Sequence, residues 1–156
     1  MLSVTGLTKQ YGDETALSDL SLTVETGEFV TLLGPSGCGK TTTLLAIAGH
    51  VAPTAGTVSI GGRDVTDAPP EERSCGLVFQ QNALFPHMTA CGNVAYAMAP
   101  HESDEQRREE RVEDLLSLVG MADHAGKRPS QLSGGQRRRV ELARALATDP
   151  EVLLLD

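Results

Sequence analysis

The feature that most constrains this chain is a glycine-rich motif in its first third. The motif matches the pattern G-x-x-x-x-G-K-[ST] at every position and comprises Gly34, Pro35, Ser36, Gly37, Cys38, Gly39, Lys40, Thr41 and Thr42. The apolar run 29–33 before it predicts a buried strand, and the run 43–48 after it predicts a helix that ends at Gly49. A glycine loop between a strand and a helix turns its backbone N–H groups toward an anion. The sequence therefore predicts a phosphate-binding loop.

The end of the motif indicates which phosphate compound to expect. Lys40 can reach the β- and γ-phosphates of a nucleotide, and the Thr41 hydroxyl is a ligand that Mg²⁺ accepts. The alternative, an ordinary glycine-rich turn between a strand and a helix, explains the glycines but not a lysine and a threonine at this spacing. We therefore expect a nucleotide bound together with Mg²⁺.

A second glycine motif begins another helix far downstream. It comprises Leu132, Ser133, Gly134, Gly135 and Gln136. Ser133 is a favourable N-cap, and the glycines leave N–H groups open for a second anion. A capped amphipathic helix, with an apolar stripe through Val140, Ala143 and Ala147, would by itself be the preferred explanation. Beside the first motif it is not, because one nucleotide does not need two phosphate-binding helix starts in one subunit.

Together these motifs resemble the nucleotide-binding domain of ABC transporters, in which LSGGQ is the family signature. The resemblance implies an α/β fold of the P-loop NTPase class, with a RecA-like core, an antiparallel β subdomain and a helical signature subdomain. The core and β subdomain would take up about 1–82 and 148–156, and the helical subdomain about 83–147. The order of the motifs agrees along essentially the whole chain.

The same resemblance assigns roles to individual residues. Tyr11 would stack on adenine, and Gln80 resembles the Q-loop glutamine that touches Mg²⁺ and the attacking water. The apolar run 151–155 resembles the Walker B strand, which leads to its Mg²⁺-associated aspartate, Asp156. ATP would contact Tyr11, the whole motif 34–42 and the signature residues Ser133, Gly134, Gly135 and Gln136. The metal site would be Thr41, Gln80 and Asp156, and the catalytic set Lys40, Gln80 and Asp156.

The chain ends at the Walker B aspartate. In the family the catalytic glutamate and the switch histidine come later, so residues 1–156 are expected to be a C-terminally incomplete fragment that does not turn over ATP. The family's next strand lies between the Walker B strand and the phosphate-loop strand. We therefore expect the strands at 29–33 and 152–155 to be separated by an empty strand position.

The segments around the motifs are similar to those of importers of polyamines, ferric iron, sulfate and maltose. Leu84, Phe85 and Met88 would contact a helix of the membrane permease, and Arg128–Gln131 precedes the signature in the importer style. A second copy of the chain would complete each ATP site in a head-to-tail dimer. Gly92 and Arg138 stand where the family usually has glutamate and glutamine, and both departures leave phosphate binding intact.

Composition limits the other partners and the location. The net charge of −8 argues against nonspecific nucleic-acid binding, and the scarcity of lysine (Lys9, Lys40 and Lys127) resembles proteins of salt-loaded cytoplasm. No run is long and apolar enough to span a membrane, so any membrane association would be through a partner. The resemblance to importers implies a peripheral subunit at the cytoplasmic face of the membrane. Two alternatives stay open: a soluble ABC-type ATPase without a membrane partner, and a nucleotide-binding module without turnover.

The rest of the chain predicts further elements. Strands are expected at 19–24, 57–60 and 76–79, and helices between about 89 and 122. The acidic run Glu102 to Asp114 is expected to be the solvated face of a helix, with Leu115, Leu116, Leu118 and Val119 forming its buried part.

Overall fold

The computed structural model describes residues 1–79, 83–98 and 104–156. The chain forms two compact units, one comprising Met1–Cys75 with Asp156 and the other Gly76–Leu155. The subdomain bounds inferred from the sequence stay a prediction.

An antiparallel sheet dominates the first unit. Its four strands, in the spatial order β2-β1-β3-β4, are β1 (Leu2–Tyr11), β2 (Glu14–Val24), β3 (Ala55–Ile60) and β4 (Arg63–Asp64). Leu2 pairs with Val24 on one side and with Ile60 on the other, so β1 lies in the interior of the sheet. Val4, Leu7 and Val58 are buried on it. The strands predicted at 19–24 and 57–60 are confirmed.

The helix after the glycine motif, α1 (Lys40–Ile47), is also confirmed, and Gly49 follows it in a left-handed conformation with φ 83°. The last turn of α1 is held by a buried arginine. Arg73 donates to the carbonyl oxygens of Ala46 and Ile47, both at 2.8 Å. These are carbonyls that a helix end leaves without an intrahelical partner. Burial lowers the pKa of the Arg73 guanidinium.

The predicted strand at 29–33 is absent. This segment belongs to neither sheet, and two of its side chains face solvent, with Phe29 83% and Leu33 88% exposed. The prediction of a buried strand was therefore wrong for this structure. A strand exists only where a neighbouring strand accepts and donates its ladder of hydrogen bonds, and none of the described strands takes that place. Apolar periodicity cannot supply the missing neighbour.

The second unit packs three helices around an apolar core. They are α2 (Ala90–Met98), α3 (Glu105–Leu118) and α4 (Gly134–Leu146). In this core, the side chains of Ala90, Val94, Val140 and Ala143 are fully buried. A two-stranded sheet pairs β5 (Cys75–Val78) with β6 (Val152–Leu155), which confirms the strand predicted near 76–79.

Helix α3 has the expected solvated acidic face, with one correction to its buried part. Leu115 and Leu116 are buried, but Leu118 is 72% exposed. Val112, three residues before Leu115, is buried instead of Leu118. The buried stripe of a helix follows the i, i+3, i+4 spacing, and Leu118 lies at its edge.

No helix within residues 1–79, 83–98 and 104–156 is long and apolar enough to cross a membrane.

Candidate functional site: a phosphate loop and a capped signature helix

The glycine motif forms a tightly curved loop whose shape depends on glycine at specific positions. Gly37 and Gly39 have φ angles of 82° and 93°, which side chains other than glycine rarely adopt. A Cβ on Gly39 would lie 2.5 Å from the carbonyl oxygen of Ala16 in β2, and one on Gly34 would lie 2.6 Å from Cys38 Sγ. The loop therefore curls closely on itself and against the sheet.

Lys40 folds back over this loop. Its ammonium donates to the carbonyl oxygens of Gly34 at 2.9 Å and Pro35 at 2.7 Å, and lies 3.5 Å from Cys38 Sγ. The cation therefore sits within the curve of the backbone, on the first residue of α1.

The start of α1 is favourable for an anion. Gly39 is the N-cap residue, and no side chain of the described residues caps the helix there. The first N–H groups of a helix and its dipole favour negative charge, and Lys40 adds a full positive charge at the same end. The curved loop, the uncapped helix start and the lysine together make a site suited to phosphate.

Thr41 and Asp156 are brought together across most of the chain. The Thr41 hydroxyl donates to Asp156 Oδ1 at 3.0 Å and approaches Oδ2 at 3.3 Å, and both residues belong to the first compact unit. A hydroxyl and a carboxylate side by side are the hard oxygen ligands that Mg²⁺ prefers. Within the described part of the chain, no group of three or more His, Cys, Asp or Glu side chains could hold a metal ion. The Thr41 and Asp156 oxygens fit Mg²⁺ shared with a phosphate, since Mg²⁺ is commonly held by few carboxylates plus phosphate oxygens.

The other two predicted residues of this site are placed differently. Tyr11 ends β1 and is 52% exposed, and the Lys9 ammonium lies 4.9 Å from its ring centroid. Gln80 lies outside the described residues. The roles assigned to both stay predictions.

The signature motif begins α4 with a complete capping box. Ser133 Oγ accepts a hydrogen bond from the Gln136 N–H at 3.2 Å, and Gln136 Oε1 accepts one from the Ser133 N–H at 2.8 Å. This reciprocal pair fixes the helix start. Ser133 thus serves as the N-cap, as its position in the sequence predicts.

The two signature glycines are not required by the fold of this chain. Among the described residues, a Cβ on Gly135 would meet no atom within 4 Å, and one on Gly134 would meet only Arg137 Nη2, at 4.0 Å. The first turn of α4 is therefore open in front of both glycines within the described part of the chain.

The segment after residue 82 is more enclosed than the sequence suggests. Leu84, predicted to contact a partner, is only 8% exposed and packs in the core of the second unit. That prediction was wrong because Leu84 points into its own helices. Phe85 and Met88 are half-buried, and His87 is exposed with its ring 6.0 Å from that of Phe85.

Sequence reasoning missed three residues that hold this segment: Asn93, Glu141 and Arg144. Asn93 is fully buried, and Glu141 is 6% exposed between the apolar residues Val140 and Ala143. A charged residue next to an apolar helical stripe is a signal that could have found Glu141, since buried charges are nearly always paired.

Comparisons with known proteins agree with this geometry. The family model described as ABC transporter matches residues 17–156. The Fe(3+) ions import ATP-binding protein FbpC of Brucella abortus (strain 2308) is 54% identical over 150 residues, which are 96% of this chain and 42% of that protein. The spermidine/putrescine import ATP-binding protein PotA of Marinobacter nauticus is 50% identical over 156 residues, 100% of this chain and 42% of that protein. The chain therefore spans less than half the length of these curated relatives.

Solved structures show the same fold. The chain superposes with a TM-score of 0.88 and 35% identity on the ATP-binding cassette MJ0796, described as a dimeric post-hydrolysis state bound to ADP and Pi. The match covers 100% of this chain and 73% of that one. This confirms the predicted fold of the P-loop NTPase class. The family model matches well over half of this chain, so the chain belongs to the ABC transporter family.

Proposed function

We propose that this chain is the nucleotide-binding part of a subunit that couples ATP binding and hydrolysis to solute import through a membrane permease. The observation that carries the proposal is the phosphate loop, with Lys40 inside its curve and the Thr41 hydroxyl 3.0 Å from the Asp156 carboxylate. Import is supported by these relatives, which are import ATP-binding proteins for Fe(3+) ions and for spermidine and putrescine.

In this proposal the loop residues 34–42 bind the phosphates of ATP. Lys40 exchanges the carbonyl oxygens of Gly34 and Pro35 for the β- and γ-phosphate oxygens, a stronger charge-assisted contact. Tyr11 offers an exposed ring for adenine. Thr41 and Asp156 would hold Mg²⁺, which when bound neutralises charge on the transferred phosphate. Gln80 would orient the attacking water.

A second copy of the chain would complete each site. Ser133, Gly134, Gly135 and Gln136 would approach the γ-phosphate bound by the other copy. The open space at the two glycines supports this, and the solved neighbours are described as dimeric. A two-fold, isologous arrangement would place two ATP molecules in the interface. ATP would then favour the closed dimer through contacts that only that state offers.

The membrane permease would contact the second unit beside Phe85 and Met88. Exposed Pro86 and His87 and half-buried Phe85 and Met88 are available at this surface, whereas Leu84 is not. The protein would then act as a peripheral subunit at the cytoplasmic face of the membrane.

Purification of the full-length protein from cells that express its own operon tests the proposal. We expect it to copurify with a membrane permease and to hydrolyse ATP. Hydrolysis without any membrane partner would instead support a soluble ABC-type ATPase. ATP binding without turnover, in the presence of the permease, would support a binding module.

A further inference from the structure

The backbone of Ala83 is held on both sides by side chains of the signature helix. The Ala83 N–H donates to Glu141 Oε1 at 2.9 Å, and its carbonyl oxygen accepts from Arg144 Nη1 at 2.6 Å. Glu141 and Arg144 are three residues apart, so they lie on the same face of α4. Both hydrogen-bonding groups of this one residue are thus taken by α4.

Phe85 is held in the same way by helix α2. Its N–H donates to Asn93 Oδ1 at 2.8 Å, and its carbonyl oxygen accepts from Asn93 Nδ2 at 3.2 Å. The Arg144 guanidinium carbon lies 4.9 Å from the centroid of the Phe85 ring, and the Tyr96 ring meets it edge-on at 4.8 Å. Backbone groups that a sheet would satisfy with a neighbouring strand are here satisfied by buried side chains.

A third side chain of α4 extends this contact to Phe79. Arg138 donates to the Phe79 carbonyl oxygen, and its Nη1 lies 3.6 Å from Glu141 Oε2. Phe79 and Ala83 flank residues 80–82, which lie outside the described residues. Arg138, Glu141 and Arg144 follow one another at three-residue spacing along α4.

This charged set is poorly explained as a device for stability. The Glu141 side chain is 5% exposed, and burial lowers the pKa of Arg144, which reflects the cost of removing a cation from water. Well-packed apolar residues in place of a buried ion pair are often as stable or more stable. What the charged set provides is a fixed position for Ala83 and Phe85 relative to the helix that begins at Ser133.

We propose that Glu141 and Arg144 are positioning residues that make the segment 83–88 move as one body with the signature helix. The inference rests on the proposed function, in which a permease contacts this segment and Ser133 contacts ATP in the partner copy. Displacement of Ala83 by a membrane subunit would carry α4 and its N-terminus along, because partly buried hydrogen bonds join both backbone groups of Ala83 to α4. Ser133 itself keeps its capping box throughout.

The first test compares Glu141→Ala with Glu141→Gln in the full-length protein, assembled with its permease in proteoliposomes. Alanine removes the acceptor of the Ala83 N–H, whereas glutamine keeps one. We expect Glu141→Ala to lower the stimulation of ATP hydrolysis by the permease by about tenfold, within what an unpaired buried donor costs. Hydrolysis by the subunit alone should change little, whereas its melting temperature should fall by several degrees, because the Ala83 N–H loses its acceptor. Glu141→Gln should retain most of the stimulation, and Glu113→Gln, an exposed glutamate on α3, should retain all of it.

The second test needs no membrane partner and follows amide hydrogen exchange in the full-length protein. We expect the Ala83 amide to exchange at least about tenfold faster in Glu141→Ala than in Glu141→Gln, because its acceptor is lost. ATP should slow exchange in both 83–88 and 133–136 in the parent protein, but only in 133–136 in Glu141→Ala.

The two tests separate the inference from the proposed function. Equal ATP responses of both segments in Glu141→Ala, or an unchanged permease stimulation, would overturn the positioning role. If the parent protein is not stimulated by any permease, the proposed function fails, while the exchange measurement still decides whether Glu141 joins the two segments. If Glu141→Ala does not fold, Arg144→Met takes its place, because it removes the donor to the Ala83 carbonyl.

Discussion

At the scale of single residues, the phosphate loop concentrates its chemistry in one lysine and one cysteine. Lys40 Nζ lies 2.7 Å from the Pro35 carbonyl oxygen and 3.5 Å from Cys38 Sγ. Both side chains extend from the same curved loop. We therefore expect substitution of either residue to affect nucleotide binding more than other properties of the protein.

Lys40→Ala in the full-length protein should abolish ATP hydrolysis and weaken nucleotide binding by about 2 kcal/mol, the scale of a charge-assisted hydrogen bond. The loop would lose its only side-chain cation. Titration with a fluorescent ATP analogue and a phosphate-release assay measure the two effects. Lys127→Ala, in the second unit, is the matched control and should bind normally. Near-normal hydrolysis in Lys40→Ala would contradict the role of this residue.

The three cysteines should react with a maleimide in a definite order, with Cys38 first. Cys38, in the phosphate loop, and Cys91 are exposed, and Cys75 is half-buried; burial raises the pKa of the Cys75 and Cys91 thiols. A raised thiol pKa leaves less thiolate at a given pH, so these two should need a higher pH to react. Peptide mass spectrometry after timed labelling gives the order.

ATP should protect Cys38 from this labelling and leave the other two cysteines unaffected. Equal labelling of Cys38 with and without ATP would argue against nucleotide in the loop.

At the scale of secondary-structure elements, two helices begin at glycine-rich motifs, but their N-termini differ. Helix α1 starts at Gly39 without a side-chain cap, whereas α4 starts with a capping box between Ser133 and Gln136. An uncapped start beside Lys40 suits an anion held by the same chain. A capped start with open space at its glycines suits a ligand presented from outside.

Ser133→Arg should therefore separate ATP binding from dimer formation. The larger cation would fill the space in front of Gly134 and Gly135, so ATP should bind the monomer with nearly unchanged affinity but no longer drive dimerisation. Size-exclusion chromatography with ATP, in a background that cannot hydrolyse it, measures the dimer fraction. Ser130→Arg, exposed in the turn that precedes the signature, is the control. A dimer fraction equal to that of the parent protein would count against the trans arrangement.

At the scale of the whole molecule, the exposed apolar segment 29–33 is the feature that most favours aggregation. Phe29 and Leu33 are largely exposed, and the segment pairs with neither sheet. Unpaired apolar segments of high β-propensity recruit other chains. The segment leads directly into the phosphate loop, so its order also bears on nucleotide binding.

A polypeptide of residues 1–156 by itself should therefore aggregate or fold only partly, and it should not turn over ATP. Analytical ultracentrifugation, thermal melting and an ATPase assay test this. Phe29→Ser combined with Leu33→Ser should reduce the aggregation. A monomer that melts cooperatively and hydrolyses ATP steadily would refute the expectation.

Local sequence determined the phosphate loop, the helix that follows it and the capped signature helix. Each depends on residues close together in the chain: glycines at positive φ, Lys40 at the start of α1, and Ser133 three residues before Gln136. Backbone sterics and capping act over a few residues, so a short motif carries the information. The half-buried strands of the antiparallel sheet were also predictable, because the alternation of apolar and polar residues is a local pattern.

Only the tertiary structure decided what depends on distant neighbours. The run 29–33 has the apolar pattern of a strand but is not one, because strand formation requires a partner that the pattern cannot specify. The contact of Thr41 with Asp156 and the hold of Glu141 and Arg144 on Ala83 join residues far apart in sequence. Such contacts arise when whole helices and strands pack together. This packing brings together side chains whose contact no local sequence pattern predicts.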